Sequence, residues 1–265
     1  MKKFWHILKK ILALAAVLSC AVLFVVVLTS AIKKQSELLC SNVQVDIDYN
    51  SGLSFISEKE IKERLNYLSG ENLVGKTLST IDYKTLETEI EKNPFVDAAE
   101  IFVDQKQQVV VQIVQKRPII RVINNDGVSY YISEKNERMP LHNTFTSHVV
   151  VALGNVDLHT GTKRDSTVQA ALYTLTQYIR KDEFLDAMVD QIYVNDQNDF
   201  DLIPKVGNHV IKFGKVDKRM AEKFNGLKVF YKEGLRNVGW DKYKTINLKF
   251  ENQVVCEKRD TTNTI

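Results

Sequence analysis

Hydrophobic and polar positions change rhythm several times along the 265 residues, and each change marks an element. From Ile11 to Ile32 the chain carries 22 residues without a charge, bracketed by Lys9-Lys10 and Lys33-Lys34. At about 1.5 Å rise per residue, a helix of that length spans roughly 33 Å, the thickness of a bilayer's hydrocarbon core. A helix apolar on every face with lysine flanks predicts a transmembrane segment over 11–32. A cleaved secretory signal ending at Thr29-Ser30-Ala31 would need a shorter apolar region, of about 7–15 residues. Lipidation at Cys20 would leave the apolar AVLFVVVL run just inside the new amino terminus, so Cys20 reads as a small apolar residue of the span.

Beyond the span the period shortens to two. Asn42 to Tyr49 places Val43, Val45, Ile47 and Tyr49 on one face and Gln44, Asp46 and Asp48 on the other, a half-buried strand. Ser57-Glu58-Lys59-Glu60 reads as a capping box opening a helix with Ile61, Leu65 and Leu68 on its stripe. A second helix begins near Asp82, carries Tyr83, Leu86 and Ile90, and stops at Asn93-Pro94. Strands over Val96–Val103 and Gln108–Gln115 follow, joined by the polar Asp104–Gln107. The order strand, helix, helix, strand, strand predicts a three-stranded sheet covered on one face by two helices.

The remainder is predicted to be a mainly antiparallel β-domain with two helices. Ile119–Ile123 and Val128–Ile132 flank Asn124-Asn125-Asp126-Gly127, whose Asp-Gly pair suits a hairpin turn. Further strands are expected at Val149–Leu153, Gln191–Val194, Phe200–Lys205 and His209–Phe213. One helical stripe joins Val168, Leu172, Leu175 and Ile179; another joins Met220, Phe224, Leu227 and Tyr231, with Asp217 as its expected N-cap. Tyr243 to Cys256 reads as a last strand pair turning near Glu251-Asn252.

Charge sharpens this picture. Six of the 36 Lys and Arg lie in the first 34 residues, where there are no acids, which leaves 30 basic against 33 acidic residues beyond. Basic residues ahead of the span and Glu37, Asp46 and Asp48 after it predict a cytoplasmic amino terminus, with the bulk of the chain outside the cytoplasm. A slightly acidic body has no concentrated basic face, and nucleic acid is excluded as a partner.

Motifs for chemistry are few. Gly70 to Thr77 matches the phosphate-binding pattern GxxxxGK[ST], which would make Lys76 and Thr77 the working residues of an envelope NTPase. That pattern should follow a buried strand and open a helix, whereas here it follows the stripe of Ile61, Leu65 and Leu68, so it is read as the loop between two helices. The five histidines are scattered without HExxH, and Cys40 and Cys256 are too far apart in sequence for a metal knuckle. No GxSxG elbow is present. No cofactor or metal is expected.

The run Asn93-Pro94-Phe95-Val96, the segment VQIVQKRPIIRV with its Arg117-Pro118 pair, and the element order beyond a single span resemble the POTRA domain of the bacterial cell-division family FtsQ/DivIB. The ending Ile246-Asn247-Leu248-Lys249-Phe250 is similar to the terminal Asp/Asn-Leu-Arg/Lys-aromatic strand of that family's β-domain, with Asn247 and Lys249 standing where Asp and Arg are commoner. The resemblance implies an α+β protein with a cytoplasmic tail (1–10), a transmembrane helix (11–32), a POTRA domain (41–116), a β-domain (117–256) and a flexible tail (257–265). It further implies a non-enzymatic, single-pass type II scaffold in the bacterial inner membrane at the division septum. Its partners would be FtsB/DivIC-like and FtsL-like bitopic coiled-coil proteins and other divisome components. The expected docking strand comprises Phe250, Glu251, Asn252, Gln253, Val254, Val255 and Cys256, with Phe250, Val254 and Cys256 on one face and Gln253 and Val255 on the other. The alternatives are the envelope NTPase and a POTRA-type secretion or membrane-assembly adaptor. Such an adaptor usually carries tandem POTRA copies or a barrel, and this chain has one copy and no series of roughly ten-residue strands.

Overall fold

The computed structural model describes residues 18–27, 38–49, 52–70, 72–156 and 163–259. The expected cytoplasmic tail and most of the 11–32 span lie outside them; residues 18–27 are helical. Among the described residues no helix is long and apolar enough to cross a membrane. The chain divides into two units, Met1–Gln115 and Lys116–Ile265.

In the first unit, β1 (Asn42–Ile47), β2 (Val96–Val103) and β3 (Gln108–Gln115) form a sheet in the order β1-β3-β2, with β1 parallel and β2 antiparallel to the central β3. Helices α1 (Glu58–Ser69) and α2 (Tyr83–Glu91) bury Ile61, Leu65, Leu86 and Ile90. Their starts are set by side chains, since Ser57 accepts from the Glu60 amide and Asp82 from the Thr85 amide. The capping box is not reciprocal in form: the Glu60 carboxylate accepts from Asn93 Nδ2 at 3.5 Å. Between β1 and α1, Asp48 and Leu53–Ile56 are held by Gln115, which is 3% exposed. Its Oε1 accepts from the amides of Phe55 (2.9 Å) and Ile56 (3.2 Å), and its Nε2 donates to the carbonyls of Leu53 (3.2 Å) and Asp48 (3.4 Å).

The second unit is built on a nine-stranded sheet: β4 (Pro118–Asn124), β5 (Ser129–Ser133), β6 (Arg138–Met139), β7 (Val150–Gly154), β8 (Val189–Val194), β9 (Phe200–Pro204), β10 (Val210–Gly214), β11 (Tyr243–Asn247) and β12 (Val255–Lys258). Their spatial order is β12-β11-β10-β9-β8-β7-β4-β5-β6. Three pairings are parallel, β4 with β7, β7 with β8 and β10 with β11, so the sheet is more mixed than expected. Parallel neighbours need a crossover, which α3 (Lys163–Arg180) supplies between β7 and β8 and α5 (Met220–Val229) between β10 and β11. The stripe Val168, Leu172, Leu175, Ile179 and the pair Phe224, Leu227 are buried in one core against the sheet, where Phe224 stacks on Tyr178 with ring centroids 5.1 Å apart.

Several expectations are corrected. The helix α4 (Glu183–Met188) went unread because six residues are too few to show a period; Asp182 caps it by accepting from the Leu185 amide. The two-residue β6 is shorter still. Asp217 is not the N-cap of α5, whose cap position is Arg219 without a side-chain bond. Asp217 instead accepts from the Arg219 amide (2.9 Å) through its carboxylate and from the Met220 amide through its carbonyl, which shapes the turn before the helix. After Val229 the helix widens into a π-helical turn, Phe230–Leu235.

Candidate partner-binding edge

The Gly70–Thr77 match is not a phosphate cradle. Gly70 ends α1 with φ 71°, and its amide donates to the Tyr67 carbonyl. The Gly75 amide donates to the Cys40 carbonyl and the Cys40 amide to the Lys76 carbonyl, both at 2.8 Å, while Lys76 Nζ donates to the Ser69 carbonyl at 3.4 Å. Groups that a phosphate loop turns toward its ligand are engaged here with the chain itself, and a 3₁₀ turn (Leu78–Thr80) follows instead of a helix. Among the described residues no group of His, Cys, Asp and Glu is arranged to hold a metal ion.

The carboxyl-terminal hairpin presents a different kind of site. β11 lies between β10 and β12, and β12 ends the sheet. Asn247 pairs with Val255, Ile246 with Cys256 and Thr245 with Glu257, and a bulge separates Thr245 from Tyr243. The Arg259 amide donates to the Lys242 carbonyl at 3.0 Å, so the two-residue alternation turns the amides of Glu257 and Val255 inward and those of Lys258 and Cys256 outward.

The seven residues expected to form the docking strand are divided between two structures. Val255 and Cys256 belong to β12, which continues through Glu257 and Lys258, residues placed by sequence in the flexible tail. Phe250 to Val254 lie outside both strands. The Asn247 side chain accepts from the Lys249 amide and ends β11, Glu251 and Asn252 form the turn, and Asn252 has φ 55°. The alternation holds within the strand: Val254 and Cys256 pack against the core, and Val255 is exposed. Burial pushes the Cys256 thiol's pKa up, away from a reactive thiolate.

Phe250, Asn252, Gln253 and Val254 form one wall of a groove of about 910 Å³ whose other wall is α5 and the π-helical turn. Gly226 and Gly234 create this space. A Cβ at Gly226 would stand 3.5 Å from Val254 Cγ2, and one at Gly234 would meet the Phe230 ring at 2.9 Å. The wall is anchored by the Asn252 amide, which donates to Glu222 at 3.3 Å, and by Lys249 Nζ, 2.6 Å from Asp199. Burial raises the Asp199 pKa, but hydrogen bonds from Lys249 and Lys215 outweigh it and hold the carboxyl below its usual range. Lys249 is thereby a structural strut. The groove escaped sequence reasoning because its walls meet through residues distant in the chain; two glycines inside a helical stretch were its available signal.

A POTRA-like unit is thus followed by a mixed sheet that, among the described residues, ends at β12 beside an apolar groove, an arrangement suited to binding. Residues 38–114 match the POTRA-like domain, and residues 117–257, more than half of the chain, match the family described as FtsQ/DivIB, C-terminal related. The chain belongs to that family, and an FtsQ/DivIB-type scaffolding role in cell division follows from it. The comparison with curated proteins gives no match.

Proposed function

We propose that the chain is a non-enzymatic, single-pass inner-membrane scaffold of the divisome that captures FtsB/DivIC-like and FtsL-like bitopic partners by β-strand addition along β12, which holds Val255 and Cys256 of the expected docking segment, with Phe250–Val254 as the adjoining groove wall. A partner strand pairs with the outward amides of Cys256 and Lys258, while an apolar side chain next to that strand enters the groove beside Val254. The observation that carries this reading is the position of β12 at the end of the sheet, with its inner side committed to β11. Backbone pairing supplies affinity and the groove supplies selectivity.

Lys258→Pro tests it. Proline removes an outward donor and leaves the inward bonds of Val255, Glu257 and Arg259 in place. Co-purification with the bitopic partners is expected to be lost at unchanged thermal stability. Undiminished capture by a folded variant would refute the edge as the docking site.

A further inference from the structure

Strand addition needs a free edge, and the POTRA-like sheet has two outer strands. Just ahead of β1, the Gly75–Leu78 loop forms a bridge from Thr77 to Leu39 and three backbone bonds with Leu38 and Cys40. The outer side of β2 is itself occupied. The Asp104 amide donates to the Gln108 carbonyl at 3.0 Å, so alternation turns the amides of Ala98, Glu100 and Phe102 toward β3 and those of Ala99, Ile101 and Val103 outward. Two of these outward amides end on side chains of α2: Ala99 N donates to Glu91 Oε1 at 3.2 Å, and Ile101 N to Glu87 Oε1 at 2.8 Å.

The spacing explains the match. Residues four apart on a helix are offset by about 6 Å, and alternate residues of a strand by about 6.7 Å. Glu87 and Glu91 can therefore reach successive outward amides. Lys84 Nζ lies 3.6 Å from Glu87 Oε2 and steadies that carboxylate. A carboxylate bond to an amide is charge-assisted, and a neutral carbonyl of an incoming strand competes poorly with it.

We infer that Glu87 and Glu91 are an edge latch: by holding the amides of Ala99 and Ile101 they keep the β2 edge of the POTRA-like sheet from taking up a strand, in the first instance the β2 edge of a second copy of this chain. The inference is independent of where the carboxyl-terminal edge docks. It removes the β2 edge of the POTRA-like unit from backbone-mediated partnering.

The test compares the full chain in detergent micelles with the double variants Glu87→Ala/Glu91→Ala and Glu87→Gln/Glu91→Gln. Amide hydrogen exchange at Ala99 and Ile101 is expected to speed up at least about ten-fold in the alanine pair, the equivalent of one net hydrogen bond. The amides of Glu100 and Phe102 should keep their protection and so report an intact fold. The glutamine pair, which retains an acceptor oxygen, should keep most of the protection. Light scattering should show the alanine pair dimerising with concentration, the dimer being abolished by Ile101→Pro, while the unaltered chain stays monomeric. Unprotected Ala99 and Ile101 amides in the unaltered chain would overturn the inference. So would an alanine pair that exposes both amides yet stays monomeric, since the bulk of α2 would then be what blocks the edge.

Discussion

Replacing Gln115 with leucine separates hydrogen bonding from packing in the POTRA-like unit. The buried amide serves four backbone groups, the amides of Phe55 and Ile56 and the carbonyls of Leu53 and Asp48. Leucine fills nearly the same volume and satisfies none of them. Two donors on residues 1% and 2% exposed then lose this acceptor, at about 1–3 kcal/mol each. Better burial of the leucine side chain offsets about 1–2 kcal/mol. The expected net loss is about 2–4 kcal/mol, a large part of the roughly 5–15 kcal/mol that holds a domain together. Exchange of the β3 amides of Val109 and Val111 in the full chain should accelerate by about 30- to 900-fold. Gln115→Glu sharpens the test, because an ionised carboxylate would face the carbonyls of Leu53 and Asp48. Its folded pKa is expected to rise, so the variant should be most stable at acid pH and weaken as pH climbs through that raised value. A leucine variant within about 0.5 kcal/mol of the parent would refute the idea that this side chain staples the 48–56 stretch.

Three further outcomes concern the second unit. Gly226→Leu fills the groove against Val254 and should weaken a partner peptide at least about ten-fold in an anisotropy titration, the loss of one buried side chain. Gly226→Ala should instead stabilise α5 by about 0.5–1 kcal/mol in denaturant unfolding. The third outcome is pH dependence. His209 is 1% exposed, with Nε2 2.5 Å from the Tyr231 hydroxyl. Burial lowers its pKa, Arg259 adds to that, and the Trp240 carbonyl and Asp241 oppose it without prevailing. The unfolded chain therefore takes up this proton first, and stability contributed by neutral His209 is full above the ordinary histidine pKa of about 6.5 and falls as pH drops toward the lowered folded value. Melting temperatures between pH 7.5 and 5 should show that slope, and His209→Gln should flatten it.

Much of this architecture is legible from local signals. The period-two run at Val43–Ile47, the serine cap at Ser57 and the Asn93-Pro94 stop each act within a few residues, and the elements they predict are present. The four apolar positions of α3 are likewise all buried. What escaped depends on partners distant in sequence or on very short elements. Whether β10 and β11 run parallel is decided by the crossover through α5, and α4 has a cap but too few residues to reveal a period. The expected docking segment is the clearest case. Val residues at 254 and 255 read as strand, but Asn252 in the left-handed region and the Asx turn at Asn247 divide the segment into a groove wall and a strand. The Ala99 and Ile101 caps were invisible, because nothing in a glutamate at position 87 or 91 announces which backbone it will meet.

The parallel pairing of β11 with β10 has a consequence for timing. A hairpin neighbour can form as soon as its two strands exist, but this one waits until α5 and the π-helical turn have folded back across the core. Only then is β11 in place to template β12. On the docking proposed above, a ribosome-bound or partly threaded chain that stops short of Tyr243 would lack the β12 edge, and capture of a partner would report a completed fold.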